Sequence, residues 1–438
     1  SAQDTLTYTV TVGTSAPPGL PVASFVVRPS PALAGQFVVN DPIGTSVPAG
    51  KPIFRWRFGD NGWPSEDPKP FHRYPLPGGY HPHLTVWDSI GQRAVADRPV
   101  KVGINSLYPP TVTITSAQPL QGSGALTATF SAQVAPGNSG QMAAYRWNLG
   151  EGTVRSGVLA VGEAVPDVTA TYGPGRHWPS LLVVDRNGFT ATDKVEVVVT
   201  SSSGAQPPDC LATTEPTVLF LPVTGARFRA FQLQGTDKLV DTGWLIDGQS
   251  YSGAQVPQTY GSGGWHHAQL TVTDEAGLTC VDEEDLAVIG PVASWGVPPR
   301  IVDPGGGAGT CGQALDAGTP VAADPANLGV TWSLAGAPDG GSVDDAGRIL
   351  WTPPPGSTAP GGFVLVATNP VGSDQVAVTV PVQCDDSLEL KTLCGCGSGG
   401  PAAPLLALAG LWLLARRGRR RDGAPATAAC RRPGAPPR

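Results

Sequence analysis

Leu84-Thr-Val86-Trp-Asp88-Ser-Ile-Gly91 is the stretch from which the fold can be read. Its form, L-x-V-x-D-x-x-G, returns as Leu181-Leu-Val183-Val-Asp185-Arg-Asn-Gly188 and as Leu270-Thr-Val272-Thr-Asp274-Glu-Ala-Gly277. A degenerate fourth copy is Leu365-Val-Ala367-Thr-Asn369-Pro-Val-Gly372. Alternation at the Leu and Val positions puts two apolar side chains on one face of a strand. The Asp ends that strand, because its carboxylate can bond the turn backbone. The Gly three residues later can take a positive φ and start the return strand. The three Asp are 97 and 89 residues apart, and Asn369 follows Asp274 by 95. That period is the length of one small β-sandwich.

Upstream of each copy lies a Trp on a short apolar run. These are Phe54-Arg-Trp56-Arg-Phe58, Tyr145-Arg-Trp147-Asn-Leu149, Trp244-Leu-Ile246 and Val330-Thr-Trp332-Ser-Leu334. Between the Trp and the L-x-V strand comes a Tyr followed by glycines: Tyr74 with Gly78 and Gly79, Tyr172 with Gly173 and Gly175, Tyr260 with Gly261 and Gly263. A core Trp on a central strand and a Tyr bonding back across a corner are devices of Ig-like sandwiches. Trp56, Trp147, Trp244 and Trp332 are therefore the expected core residues, one per unit.

Composition agrees with a turn-rich all-β chain. The 438 residues include 57 Gly and 46 Pro, yet 40% hydrophobic residues and 11 Trp argue against disorder. The formal charge of −7 is unevenly placed. Residues 416–438 hold eight Arg and one Asp, or +7, which leaves −14 on the rest. An acidic body excludes nucleic acid as its partner.

Trp56-Arg-Phe-Gly-Asp-Asn-Gly62, then Pro68-Lys-Pro-Phe-His-Arg-Tyr74, Pro77-Gly-Gly-Tyr80 and Leu84-Thr-Val-Trp-Asp88 together resemble a polycystic-kidney-disease (PKD) repeat. The resemblance is good over 21–102, looser over 108–200 and 207–289, and gives way over 298–384 to an Ig-like or cadherin-like pattern around Trp332 and Trp351. It implies extracellular Ig-like sandwiches and no catalytic residue. The expected organisation is an orphan strand or flexible N-terminus at 1–14, PKD-like sandwiches at 20–104, 108–200 and 207–290, and an Ig-like or cadherin-like sandwich at 298–384. The orphan strand keeps open the reading that the chain was cut from a longer protein. Gly/Ser/Pro-rich breaks at 105–110, 201–208 and 290–299 predict a rod of quasi-independent units.

Cys210 and Cys280 are 70 residues apart, and Cys311 and Cys384 are 73 apart. In each pair one Cys opens a unit and the other lies near its last strand, so two disulfides, Cys210–Cys280 and Cys311–Cys384, are expected in an oxidising compartment.

A Gly/Cys spacer at 385–400 holds Cys394 and Cys396, an uncharged apolar run follows at 401–415, and a basic disordered tail occupies 416–438. The expected architecture thus ends in one hydrophobic helix in a membrane, with the Arg cluster on the cytoplasmic side. The order of Cys-Gly-Cys, apolar run and Arg cluster resembles the myxobacterial-type C-terminal sorting signal (MYXO-CTERM). That resemblance implies processing and surface attachment at Cys394 or Cys396. Residues 422–438 extend past the usual end of such signals, and an ordinary single-span anchor is the other reading.

Hydrolase, metalloprotease and nucleotide-binding motifs are missing from the sequence, so no catalytic residue is expected. No cofactor is expected except Ca²⁺ at the loop carboxylates Asp60, Glu66, Asp67 and Asp282-Glu-Glu-Asp285, which read otherwise as a solvated acidic surface. His81 and His83, two apart, form a candidate divalent-metal pair on one outward strand face, without an evident third ligand. His266 and His267 point to opposite faces. Two function classes follow. One is a non-catalytic, membrane-anchored rod at the cell surface that contacts a protein or glycan. The other is the stalk of a surface hydrolase whose catalytic domain precedes residue 1.

Overall fold

The computed structural model describes residues 19–150, 152–291, 296–357 and 359–383. These residues are all-β, with no helix among them. Four hydrophobic cores follow one another along the chain, built from residues 25–102, 112–199, 210–288 and 301–380.

In the first sandwich, Val26–Arg28, Phe37–Asp41 and Phe71–Arg73 form one sheet, and Ile53–Arg57, His83–Trp87 and Arg93–Asp97 form the other. Alternation places Leu84 and Val86 inward at 0% exposure, against Trp56 and Phe25. Phe25 meets the Trp56 ring edge-on at 5.1 Å. The next two sandwiches repeat this plan, and in each of the four a short early strand runs parallel beside the last one. The parallel pairs are Ala32–Leu33 with Val100–Gly103, Gln121–Ser123 with Val197–Thr200, Val218–Phe220 with Thr279–Ile289, and Gly309–Thr310 with Val382–Gln383.

The turn motif works the same way in the first three copies, and the fourth closes one residue sooner. Asp88 Oδ1 accepts the N–H groups of Ile90 and Gln92 at 3.0 and 2.9 Å. Asp185 accepts those of Asn187 and Phe189, and Asp274 those of Ala276 and Leu278. Asn369 accepts those of Val371 and Gly372 in the fourth. All four side chains are buried, so these bonds replace the water they lose.

Register separates the fourth sandwich from the others. Trp56, Trp147 and Trp244 stand opposite Leu84, Leu181 and Leu270, and all three Trp are buried. Trp332 stands opposite Ala367, and it is Leu334 that faces Leu365. Trp332 therefore occupies the place of Phe54 and Tyr145, and it is half-buried at the core's edge. The expectation of a core Trp332 is corrected: Trp351 fills the fourth core, 6% exposed and edge-on to Phe363 at 5.5 Å.

The expectation of quasi-independent units is corrected as well, because strands of different sandwiches join. Gly79 pairs with Ala191, Arg176 with Cys280, and Gly264 with Ser373. The second and fourth sandwiches, not neighbours in sequence, share a small core of Ala144, Leu182, Val184, Val302 and Ala323. The glycines after the Tyr residues allow this approach. A Cβ on Gly79 would lie 2.2 Å from the Pro110 carbonyl oxygen, and one on Gly263 would lie 1.9 Å from that of Val371.

Cys210 and Cys280 form a buried disulfide with Cα atoms 5.9 Å apart. Cys311 is disulfide-bonded too, while Cys384 lies outside the described residues. Also outside them are the N-terminal segment 1–14, Cys394, Cys396, the apolar run 401–415 and the basic tail. Among the described residues, no helix is long and apolar enough to cross a membrane.

Candidate functional site

The polar chemistry of the described residues is concentrated where sandwiches meet. The return strand of each repeat, following the turn Asp or Asn, carries a second Asp with a fixed duty in three of them. Asp193 Oδ2 accepts the Ile114 N–H, Asp282 Oδ2 that of Ala212, and Asp374 Oδ2 that of Ile301, each at 2.7 Å. Each bond ties a sandwich's first strand to its return strand. The other carboxylate oxygen of Asp193 and of Asp282 faces side chains from the preceding sandwich.

For Asp282 the cation is Lys194. Its Nζ lies 2.8 Å from Asp282 Oδ1, 2.7 Å from Glu284 Oε1 and 2.7 Å from the Glu283 carbonyl oxygen, so all three of its donors are used. Burial alone would lower the Lys194 pKa, but the Asp282 and Glu284 charges outweigh it and raise it. Asp285 faces Arg300 and His267; these hold its carboxyl well below the usual range, although burial pulls the other way. The acidic run Asp282 to Asp285 is thus an ion-paired junction and not a solvated surface. Asn61, in the Gly-Asp-Asn-Gly turn of the first sandwich, likewise reaches into the third. Its Nδ2 donates to the carbonyls of Thr217 and Asp285 at 3.0 and 3.1 Å, and its backbone carbonyl accepts the Thr214 N–H at 2.9 Å. Asp60 beside it holds His72 at 2.8 Å. Arg57 lies 4.1 Å over the Trp178 ring and donates to Asp209, joining three sandwiches at one point.

For Asp193 the partners are histidines. His81 Nδ1 lies 2.9 Å from Asp193 Oδ1, and His83 Nε2 lies 3.6 Å from the same oxygen. His81 does not face outward as its spacing suggested. It precedes the strand His83–Trp87 and is 2% exposed, because the second sandwich covers it. Its Nε2 is 3.1 Å from Thr113 Oγ1 and 3.5 Å from Asp97 Oδ2. Burial alone would raise the Asp193 carboxyl, but the two imidazoles outweigh it and hold it well below its ordinary range. Sequence reasoning found the His pair and missed Asp193. The available signal was a second Asp eight residues after the turn Asp, at 193 and again at 282. His266 and His267 go separate ways, to Asp247 and Asp285 at 2.8 Å each.

Residues 19–102, which make the first of the four sandwiches, match the PKD domain family. No curated protein matches the chain. Among solved structures the chain is similar to the N-terminal eight Ig domains of Down Syndrome Cell Adhesion Molecule isoform 1.30.30. The identity is 14% and the TM-score 0.21, over 84% of this chain and 56% of that one. A 1.5-MDa bacterial ice-binding adhesin is 13% identical with a TM-score of 0.17, over 62% of this chain and 97% of that one. Cadherin domains 3–6 of Protocadherin Gamma B2 are 14% identical with a TM-score of 0.17, over 83% and 99%. Likeness of this degree says nothing about what the chain binds.

Proposed function

We propose that this chain is a non-catalytic cell-surface protein, a cluster of Ig-like and PKD-type modules at 20–104, 108–200, 207–290 and 298–384 that serves adhesion, ligand contact or display. The observation that carries this reading is the PKD-domain match at 19–102. The buried Cys210–Cys280 bridge supports it, since such a bond persists in an oxidising compartment. The junction residues support it too: Asn61, Lys194, Asp282, Asp285 and Arg300 are engaged in holding modules together. On this reading the ligand is a protein or a glycan. Attachment falls to the C-terminal segment, through Cys394 or Cys396 if the tail is a processed sorting signal, or through 401–415 as a plain anchor.

Protease shaving of intact cells that express the full chain tests the location. The sandwiches should be cleaved from outside, and deleting 394–438 should move a folded protein into the medium. Protection of the full chain in intact cells, with Cys210 and Cys280 recovered as free thiols, would overturn the reading.

A further inference from the structure

We infer that His81, His83 and Asp193 form a transition-metal site, of the kind that takes Zn²⁺, which clamps the first sandwich to the second. One ligand atom from each residue lies within 4.8 Å of the others, and the two histidines come from one module while the carboxylate comes from the next. Two imidazoles and a carboxylate are a zinc-type donor set, with bonds of roughly 2.0–2.2 Å. Tetrahedral ligands at that length sit about 3.3 Å apart. The spacings to Asp193 Oδ1, 2.9 and 3.6 Å, bracket that value. The His83 side chain is a quarter exposed, and an inward turn of its ring would close the third edge.

Two further observations favour a metal over a simple His–Asp pair. His81 Nδ1 is buried and near Asp193 Oδ1, yet it has no aligned hydrogen bond. A metal between them satisfies both atoms at once. The surroundings also have the build of a metal site's outer shell. Thr113 and Asp97 flank His81 Nε2, which fixes Nδ1 as the ligating nitrogen, and the Ile114 N–H holds the other Asp193 oxygen. With three protein ligands and His83 24% exposed, the fourth position opens to water or to a donor from outside. The backbone contact of Gly79 with Ala191 lies beside the site, so metal binding and docking of the two modules are linked.

The test uses the full chain, chelator-stripped and with free thiols alkylated so that the tail cysteines cannot bind metal. Calorimetric titration with Zn²⁺ should show one equivalent bound, and Co²⁺ should give the visible absorption of a tetrahedral site. His83→Gln, judged folded by an unchanged metal-free melting curve, should weaken binding more than about tenfold. Asp97→Asn should weaken it by about tenfold through the outer shell. Bound metal should slow hydrogen exchange at 78–83 and 190–194. The double change His266→Gln with His267→Gln should alter none of these. No saturable uptake, uptake unaffected by His83→Gln, or uptake lost in the His266/His267 control would each overturn the inference.

Discussion

The Lys194 ammonium of the second sandwich stands 2.8 Å from the Asp282 carboxylate of the third. Asp282 also accepts the Ala212 N–H that starts its own sandwich, so one carboxylate closes a module and docks it to its neighbour. Removing the cation leaves that carboxylate buried and unpaired. Lys194→Met should therefore destabilise the protein by about 3 kcal/mol or more. The double variant with Asp282→Asn should cost less than the sum of the two singles. Urea denaturation checks both, and additive losses under about 1 kcal/mol would count against the pair as a junction.

Because the sandwiches share strand contacts, damage in one should reach the others. Trp56→Ala removes the largest fully buried side chain of the first core and should cost about 3–5 kcal/mol. Calorimetry should show the transitions of the second and third sandwiches falling with it. Transitions unchanged outside the first sandwich would restore the picture of independent units.

Gly79→Ala places a Cβ 2.2 Å from the Pro110 oxygen and 2.6 Å from Ala191 Cβ. The junction must open, at a cost of about 1–3 kcal/mol. Faster hydrogen exchange at 190–194, with the Trp56 core still protected, is the expected sign. Wild-type exchange there would mean that the modules do not dock as described.

The fourth core separates its two tryptophans. Trp351→Ala should cost about 3–5 kcal/mol, and Trp332→Ala clearly less, since Trp332 is only half-buried. Equal losses in denaturant midpoints would contradict the register of Leu334 opposite Leu365.

Burial pushes the Asp374 carboxyl up to about 6, against the Ile301 N–H, Arg300 and Arg146, which lower it. Between the unfolded value near 4 and this folded value, the native state keeps a proton that the unfolded chain has released. That contribution is full below about pH 4 and is lost as pH rises through 6. Wild type should thus lose stability relative to Asp374→Asn over this window. Parallel urea-midpoint curves for the two proteins from pH 4 to 6.5 would reject the shift.

The sequence by itself determined the parts whose physics is local. Strand alternation and turn capping act within about ten residues, so Leu84, Val86, Asp88 and their repeats announced the sandwiches, and Trp56, Trp147 and Trp244 as core residues with them. The Cys210–Cys280 bridge was legible because both cysteines sit at fixed places in one repeat. Trp332 misled, because a Trp two residues earlier on its strand looks the same in sequence while facing Ala367 and not Leu365. Only the tertiary structure decided how the modules meet. Pairs such as Ser156 with Asp303, 147 residues apart, leave no periodic trace. A charged side chain on a return strand reads as solvated surface until a second module removes its water. Burial then makes a partner obligatory, and that requirement is what turned Asp193 into the companion of His81 and His83, and Lys194 into that of Asp282.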